Sequence, residues 1–564
     1  MKKSVRLGIS ALIALVVLAV GFYVTLPALN VYNQEFWSFL LLGGAAFTAA
    51  NVLLGRIKKN APRKEEKNSK KGKLAAFFSD TASKISLVVL VLPIAILLVG
   101  NLLSSTFFNA EKYSSIITVE DRVFEDDLPE NDVVTNIALM DSSSAAIIGN
   151  RTLGNLSYAD LVSQFQVGEN YSQINLKGAP EKVTSLEYAD FFRWFNNRDK
   201  GVPGYVMVDP VNSDAEYIAF EKPLRYVDSA YFSEDLNRKL RFSFPTKIFG
   251  TVMFEIDEEG DPFYIVSCLS PKVGLFGALD VNEVIIFNPV DGSSELYALE
   301  DTPAWVDNVF DGYLASQKYD WYGTLKQGYW NSIIGKKDCR VTTDDFGYII
   351  LGDDVWYFTG VTSVSNDESN IGFLMSNART GEYRFYAVTG AEEYSAMRVA
   401  EEEVADKGYT ASFPSLINVS GNPTYIMVLK DDGGVVKLCA LVNVENYSIV
   451  ATGATQQEAK EAYLNILIQK GLVEKEEAPA PEDPAVKTSD ATITVKDVRL
   501  ANAEDGSSLV YIRDTGGTLY RCALSDDESV MLIADGDQIT VTYSDTDTEK
   551  IKRLYSWKYT EAGE

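Results

Sequence analysis

The chain has 564 residues, 46% of them apolar and 23% charged, a balance that suits folded protein and excludes a disordered chain. Its net charge of −28 is unevenly spread: 13 Lys/Arg stand against 4 Asp/Glu up to Ser105, net +9, and 38 against 75 after it, net −37. A surface that acidic repels phosphate and excludes DNA or RNA as a partner, while the total lack of histidine removes Ser-His and Cys-His nucleophile pairs and the commonest transition-metal ligand.

In chain order, the first element is an unbroken apolar stretch, Leu7 to Leu26, behind Lys2, Lys3 and Arg6. Phe36 to Leu54, rich in small residues, and Ile85 to Leu103, with Pro93 as an expected kink, are two more. At about 1.5 Å per residue each crosses about 30 Å of hydrocarbon, so spans are predicted at 7–26, 36–54 and 85–103. A cleaved signal peptide is the alternative for the first stretch, but its apolar core is longer than such a region and no A-x-A site follows. Within the intervening loop, 56–84, the run RIKKNAPRKEEKNSKKGK holds nine Lys/Arg against two Glu. The positive-inside rule places that loop and the N-terminus in the cytoplasm and everything after about 106 outside. The same loop suits contact with anionic lipid head groups.

Residues 106–230 read as a membrane-proximal α+β region. An acidic connector, EDRVFEDDLPEND, leads to a strand and helix within VVTNIALMDSSSAAIIGNRTLGNL. A capping box, Thr184 with Glu187, predicts a helix over LEYADFFRWFNN that Gly201-Val-Pro-Gly204 ends before the strand YVMVDP. From about 205 to 455, short alternating runs separated by DEEGDP, PVDG, RTGE and DDGG predict many strands.

One internal echo stands out. Phe244-Pro245-Thr246-Lys247-Ile248 precedes FEIDEEGDPFYIVSCL, and Phe413-Pro414-Ser415-Leu416-Ile417 precedes INVSGNPTYIMVLK. Each follows a charged helical stretch, YFSEDLNRKLRF or YSAMRVAEEEVADKGY, so two units are expected at 231–300 and 391–470. This unit resembles the PepSY module, through the helix Ala391 to Gly408, the hairpin Gly421 to Tyr425, the turn Asp432-Gly433 and, in the earlier copy, Asp291-Gly292. The resemblance implies a helix ahead of antiparallel strands and a role in binding proteins or regulating peptidases at a bacterial surface.

Between the units, 301–390 is rich in aromatics (Trp305, Tyr313, Tyr319, Trp321, Tyr322, Tyr329, Trp330, Trp356) and carries Asp344, Asp345, Asp353 and Asp354. Aromatic faces beside carboxylates suit a carbohydrate groove; an aromatic core under an acidic surface is the plainer reading. Further on come an amphipathic helix in TQQEAKEAYLNILIQKGLV, a linker at 471–489 stiffened by Pro479, Pro481 and Pro484, and strands at 490–562 that predict a small β-barrel of OB or SH3-like type.

Chemistry is harder to place. Glu125/Glu130, Asp344/Asp353 and Asp526/Glu528 are carboxylate pairs of the kind a glycosidase uses, but linear spacing does not test them. G-x-S-x-G, S-x-x-K, P-loop and dinucleotide-binding motifs are absent from the sequence, and no residue is assigned a catalytic, cofactor or metal role. Calcium is the one cofactor the composition favours, at Asp257 to Asp261 and at Asp545 and Asp547, although no loop has EF-hand spacing. Cys268, Cys339, Cys439 and Cys522 form no CxxC pair and read as small buried hydrophobes, with a disulfide as the alternative.

The expectation is an α+β protein with a three-helix membrane anchor, extracellular β-rich modules and a terminal barrel. Its expected role is non-enzymatic: a surface protein of a Gram-positive-like bacterium that binds or regulates another envelope protein, with the bilayer as its other partner. The alternatives are a glycan or peptidoglycan hydrolase acting through carboxylates, and a membrane-associated assembly scaffold.

Overall fold

A computed structural model describes residues 3–56, 81–128, 139–154, 159–343, 345–364, 366–473, 488–502, 508–524, 528–544 and 551–559. The basic loop at 57–80 and the proline-rich linker at 474–487 lie outside the described residues, as does the start, 133–138, of the run expected to hold a strand and helix. The fold is α+β, and the chain divides into two compact units, Met1–Lys470 and Gly471–Glu564.

Three helices, α1 (Lys3–Thr25), α2 (Gln34–Arg56) and α3 (Thr81–Ser104), are long and apolar enough to cross a membrane. α2 packs between the other two because its small residues let them approach. A Cβ on Gly43 would stand 2.8 Å from Leu18, and one on Gly44 would stand 2.7 Å from the Val89 carbonyl. Deeper in the bundle, the Asn51 amide donates to the Ala82 carbonyl (3.0 Å) and to the Ser86 hydroxyl (2.7 Å), tying α2 to α3.

Beyond the helices, the described residues of the first unit form four antiparallel-rich sheets. Two share one plan. In the first module, the helix Ser142–Leu153 precedes the strands Phe165–Val167, Ser172–Leu176, Ala179–Tyr188, Val202–Asp209 and Asp214–Leu224. In the second module, the helix Glu393–Glu403 precedes Thr410–Ala411, Ser415–Val419, Asn422–Lys430, Val436–Asn443 and Val450–Gly453. In both sheets the third strand pairs with the first, the second and the fourth, and the fourth pairs with the fifth. Each module's second and third strands meet at a two-residue turn with both residues at positive φ: Lys177 (55°) and Gly178 (84°), Ser420 (50°) and Gly421 (74°). That backbone matches the strand twist of a tight hairpin, and glycine adopts it without strain. Around the turns the sequence itself repeats as Ile174-Asn175-x-x-Gly178-x-Pro180 and Ile417-Asn418-x-x-Gly421-x-Pro423. The repeating pair is therefore 142–243 with 393–469, whereas residues 248–298 form a plain four-stranded meander.

The segment around Thr184 is a strand, not the start of a helix. Ala179–Tyr188 pairs on both sides, and Val183 and Leu186 are fully buried along with Thr184 and Ser185. Tertiary pairing overrides the capping-box spacing. The helix begins later, at Phe191–Asn197, capped by Asp190, whose carboxylate accepts from the Phe192 (2.9 Å) and Arg193 (3.0 Å) amides.

A further sheet gathers Val119–Arg122, Arg340–Thr342, Gly347–Leu351, Asp354–Ser363, Asn366–Asn377, Tyr383–Tyr386 and Gly390–Ala391. In the second unit, strand pairing runs round a closed ring from Thr488–Asn502 through Ser508–Asp514, Leu519–Ala523, Ile551–Tyr559 and Gln538–Ser544. The first strand serves both neighbours, one on each side of a register shift between Val495 and Asp497.

Candidate functional site

The residues that sequence pattern singled out do not converge. Trp305 packs on Phe263 (5.1 Å), Trp321 meets Tyr113 edge-on (4.9 Å), Tyr319 is fully buried, and Trp356 belongs to the core between the seven-stranded sheet and the second module. These rings sit in four separate hydrophobic clusters, so they do not line one carbohydrate groove. Asp354 is held by Arg379 (2.7 Å) and Asn377 (2.8 Å). Each proposed carboxylate pair has one member outside the described residues: Glu130, Asp344 or Asp526. Asp257 uses its carboxylate on its own turn, accepting from the Glu259 (3.1 Å) and Asp261 (2.8 Å) amides; Asp545 and Asp547 are outside the described residues. The four cysteines are buried and form no disulfide, and burial pushes the Cys439 thiol up to about 11 and the Cys268 thiol up to about 12, the reverse of an activated nucleophile.

Two polar features of the first unit were not foreseen. One is a buried acidic junction where three sheets meet. Glu255 ends the strand Ile248–Ile256 and accepts from the backbone amides of Asp307 (3.0 Å) and Asn308 (2.8 Å) and from the Asn308 side chain (2.8 Å). Asp307 accepts from the Asn175 amide (2.7 Å) in the first module, and Tyr357 of the seven-stranded sheet reaches Asn308 (3.5 Å). Burial raises the Glu255 carboxyl, and burial together with the Glu255 charge holds Asp307 well above the usual carboxylate range. One carboxyl of the pair is thus neutral at neutral pH, and the junction works as a bolt between sheets. An acid inside the apolar run TVMFEID was its signal in the sequence.

The other feature is a groove of about 520 Å³ on the open side of the first module. Tyr205, Ile218, Ala219, Phe220, Glu221 and Lys222 form one wall, and the turn Glu259-Gly260-Asp261 with Asn288, Val290 and Asp291 forms the other. Phe220 stacks on Tyr205 (5.1 Å, 23°), giving the floor a flat aromatic patch. Four carboxylates face one lysine here, so the groove is acidic. The wall strand Asp214–Leu224 is the last of its sheet and, among the described residues, pairs only with Val202–Asp209. Pro223 beside Lys222 is the sequence mark of such an edge.

Comparison with known proteins adds no analogy: no family model matches the chain, and no curated protein does.

Proposed function

We propose that this chain is a multi-pass membrane protein whose sheets stand outside the cell and bind or regulate another cell-envelope protein without catalysis. The open edge of Asp214–Leu224 beside the acidic groove carries this reading. A strand edge offers unpaired backbone groups to an extended segment, alternate pockets sort its side chains, and Glu221, Glu259, Asp261 and Asp291 favour a segment bearing Lys or Arg. The split in charge at Ser105 supports a cytoplasmic N-terminus and basic loop.

The two matching modules, 142–243 and 393–469, are the better candidates for PepSY-like units, because helix, tight hairpin and three-strand pairing recur together there. For the terminal barrel, the parallel pairing of Leu519–Ala523 with Ile551–Tyr559 and the shared first strand support the OB type over the SH3-like one. With 8 Lys/Arg against 15 Asp/Glu from residue 488 onward, it suits protein contact rather than nucleic acid.

Photo-crosslinkers placed at 218 and 219 of the full chain in intact cells test the reading. A single envelope protein captured at both positions, and lost when Glu221 and Asp261 are both changed to Lys, is the expected result. Capture that ignores the charge reversal, or turnover of cell-wall glycan by the purified chain, would sink it.

A further inference from the structure

Two groups of exposed large hydrophobics in the first unit stand at the ends of the apolar helices. Immediately after α3, Phe107 and Phe108 stand exposed on the helix Thr106–Ser114, and Phe107 packs on Tyr329 (5.1 Å) and Trp330 (5.9 Å). Trp330 is 64% exposed, and Ile333 and Ile334 continue the patch at 56% and 75%. This group is tied to the end of α3: Asn109 donates to the Leu103 carbonyl (2.8 Å) and Tyr113 to that of Ser104 (2.7 Å).

A second patch stands at the end of α1. Phe192 is 68% exposed and Phe195 is exposed beside it on the helix Phe191–Asn197, and Phe191 links both to Phe232 (6.4 Å). Phe232 gives its carbonyl to Arg238 (2.7 Å), whose guanidinium lies over the Tyr23 ring (4.4 Å). Exposed Phe242 packs edge-on against Phe22 (5.5 Å), and Arg241 donates to the Leu26 carbonyl (2.9 Å). The Leu29 amide donates to the Pro245 carbonyl (2.7 Å), so the loop between α1 and α2 is part of the same contact.

Between these patches a hairpin reaches down the side of α3. Its tip, Gly274-Leu275-Phe276, gives two amides, those of Leu275 and Phe276, to the Ser104 hydroxyl (2.9 Å each). Phe276 lies so close to Gly100 that a side chain there would collide with the ring. Gly100 is one turn inside α3 from Ser104, about 6 Å of depth. Leu275 walls an open apolar recess of about 490 Å³ with Ala95, Ile96, Val99 and Leu103.

Charge points the same way. In a region of net −37, exposed cations stand beside both apolar patches: Lys326, Lys336 and Lys337, with Asp338, at one, and Arg198 and Lys200, with Asp199, at the other, where Arg193 is paired with Asp190 (2.8 Å). Aromatic and aliphatic side chains interleaved with Lys and Arg are what a lipid interface selects, because rings settle at head-group depth and cations meet phosphates. An ordinary solvent-facing surface would not concentrate its largest apolar residues there.

We infer that the sheet domain does not stand off on its helices but sits in the lipid leaflet nearest to it, with Phe192, Phe195, Trp330, Ile333 and Ile334 at head-group depth and Leu275 in the hydrocarbon. This rests on the three helices spanning the bilayer. The occupant is the bilayer itself, because both patches and the hairpin are continuous with helix ends that are already at its surface.

The full chain in lipid nanodiscs tests it, with an environment-sensitive fluorophore on Phe192→Cys, Ile334→Cys or, away from the helices, Leu296→Cys. The native cysteines are buried, and labelling of the parent chain corrects for them. Fluorophores at 192 and 334 should emit at shorter wavelength and be quenched by lipids spin-labelled near the head group, whereas 296 should behave as in water. Water-like emission at either 192 or 334 overturns the two-point seat. Protection from an aqueous quencher without quenching by lipid would mean that protein covers the patches, and overturns the inference as well. Parallel measurement of the three helices' own lipid accessibility, through a label at the exposed position Leu12, separates failure of the seat from failure of the membrane reading.

Discussion

The first and second modules share strand order, hairpin turn and the Ile-Asn-x-x-Gly-x-Pro run, yet their third and fourth strands are joined differently. In the second module Asn422–Lys430 passes to Val436–Asn443 through the turn at Asp431, whose carboxylate accepts from the Gly433 and Val435 amides (2.9 Å each). In the first module the same junction has grown into the helix Phe191–Asn197, which bears the exposed rings beside α1. The ends differ too. After Val450–Gly453 the helix Gln456–Gln469 folds back, its Tyr463 hydroxyl meeting Thr424 (3.0 Å) and Asn443 (3.0 Å) of its own sheet. After Asp214–Leu224 the helix Leu236–Ser243 leaves to contact the loop between α1 and α2, and the strand edge stays open. The frame sets the shape, and its loops and ends carry the specialisation.

The largest break in this symmetry lies at one equivalent position, Lys182 in the first module and Tyr425 in the second, both fully buried. Tyr425 donates to the Ala391 carbonyl (3.1 Å) and packs on Phe373, so Tyr425→Ala should cost about 3–5 kcal/mol. Lys182 lies over the Tyr348 ring (4.8 Å), and burial lowers it to about 8 from the usual lysine value. Below pH 8 the folded state must hold a buried ammonium that the unfolded chain keeps solvated, and stability recovers as pH rises from about 8 towards the unfolded lysine value of about 10.4. Lys182→Met should therefore stabilise by about 1–3 kcal/mol at neutral pH and by less near pH 10. Urea denaturation of the full chain in nanodiscs reads both changes; a destabilising Lys182→Met would show that the ammonium has a structural task.

The paired asparagines differ next. The Asn418 side chain donates to the Leu128 carbonyl (2.9 Å), whereas the Asn175 backbone amide donates to Asp307, the carboxyl that burial and the Glu255 charge raise. Because the folded state keeps a proton that the unfolded chain gives up near pH 4, stability should fall as pH climbs above about 4. Asp307→Asn keeps an acceptor for Asn175 and should flatten that slope; an unchanged slope would assign it to other carboxyls.

Which parts of this were legible in the sequence follows from how local their causes are. The three apolar helices were, because length and hydropathy decide them within single segments. The helix Gln456–Gln469 was, because its spacing and the Thr455 cap agree. Ala179–Tyr188 was misread because Thr184 and Glu187 have capping-box spacing, while the strands on either side that bury Thr184 lie at a distance in the chain. The repeat was displaced for a similar reason: Phe-Pro turns marked 244 and 413, but the first module's insertion at Phe191–Asn197 stretches its hairpins apart and hides the match. The acidic groove and the Glu255–Asp307 junction were out of reach, since each joins residues from separate sheets.

The hairpin glycines give a smaller test of the shared frame. Gly178→Ala and Gly421→Ala should each cost about 1 kcal/mol, since a side chain at positive φ is strained even where, as here, nothing crowds it. Equal costs would support one turn used twice; a neutral Gly178→Ala would mean that the first module's hairpin has relaxed its geometry.

Smallest in stability is Glu221→Lys with Asp261→Lys. Both side chains are exposed, so the pair should change unfolding by no more than about 0.5 kcal/mol. That near-neutrality is what makes it informative about binding. If the open edge of the first module holds a basic segment, reversing two of four groove carboxylates opposes association through the field and through contact, and binding should weaken most at low salt, where screening is least. The second module offers the matched control: Asp432→Lys with Glu403→Lys reverses two exposed carboxylates, the same change in net charge, at residues that do not line the groove. Loss of capture with the first variant and not the second would place the partner on the module whose edge was left open; equal loss would reduce the effect to net charge.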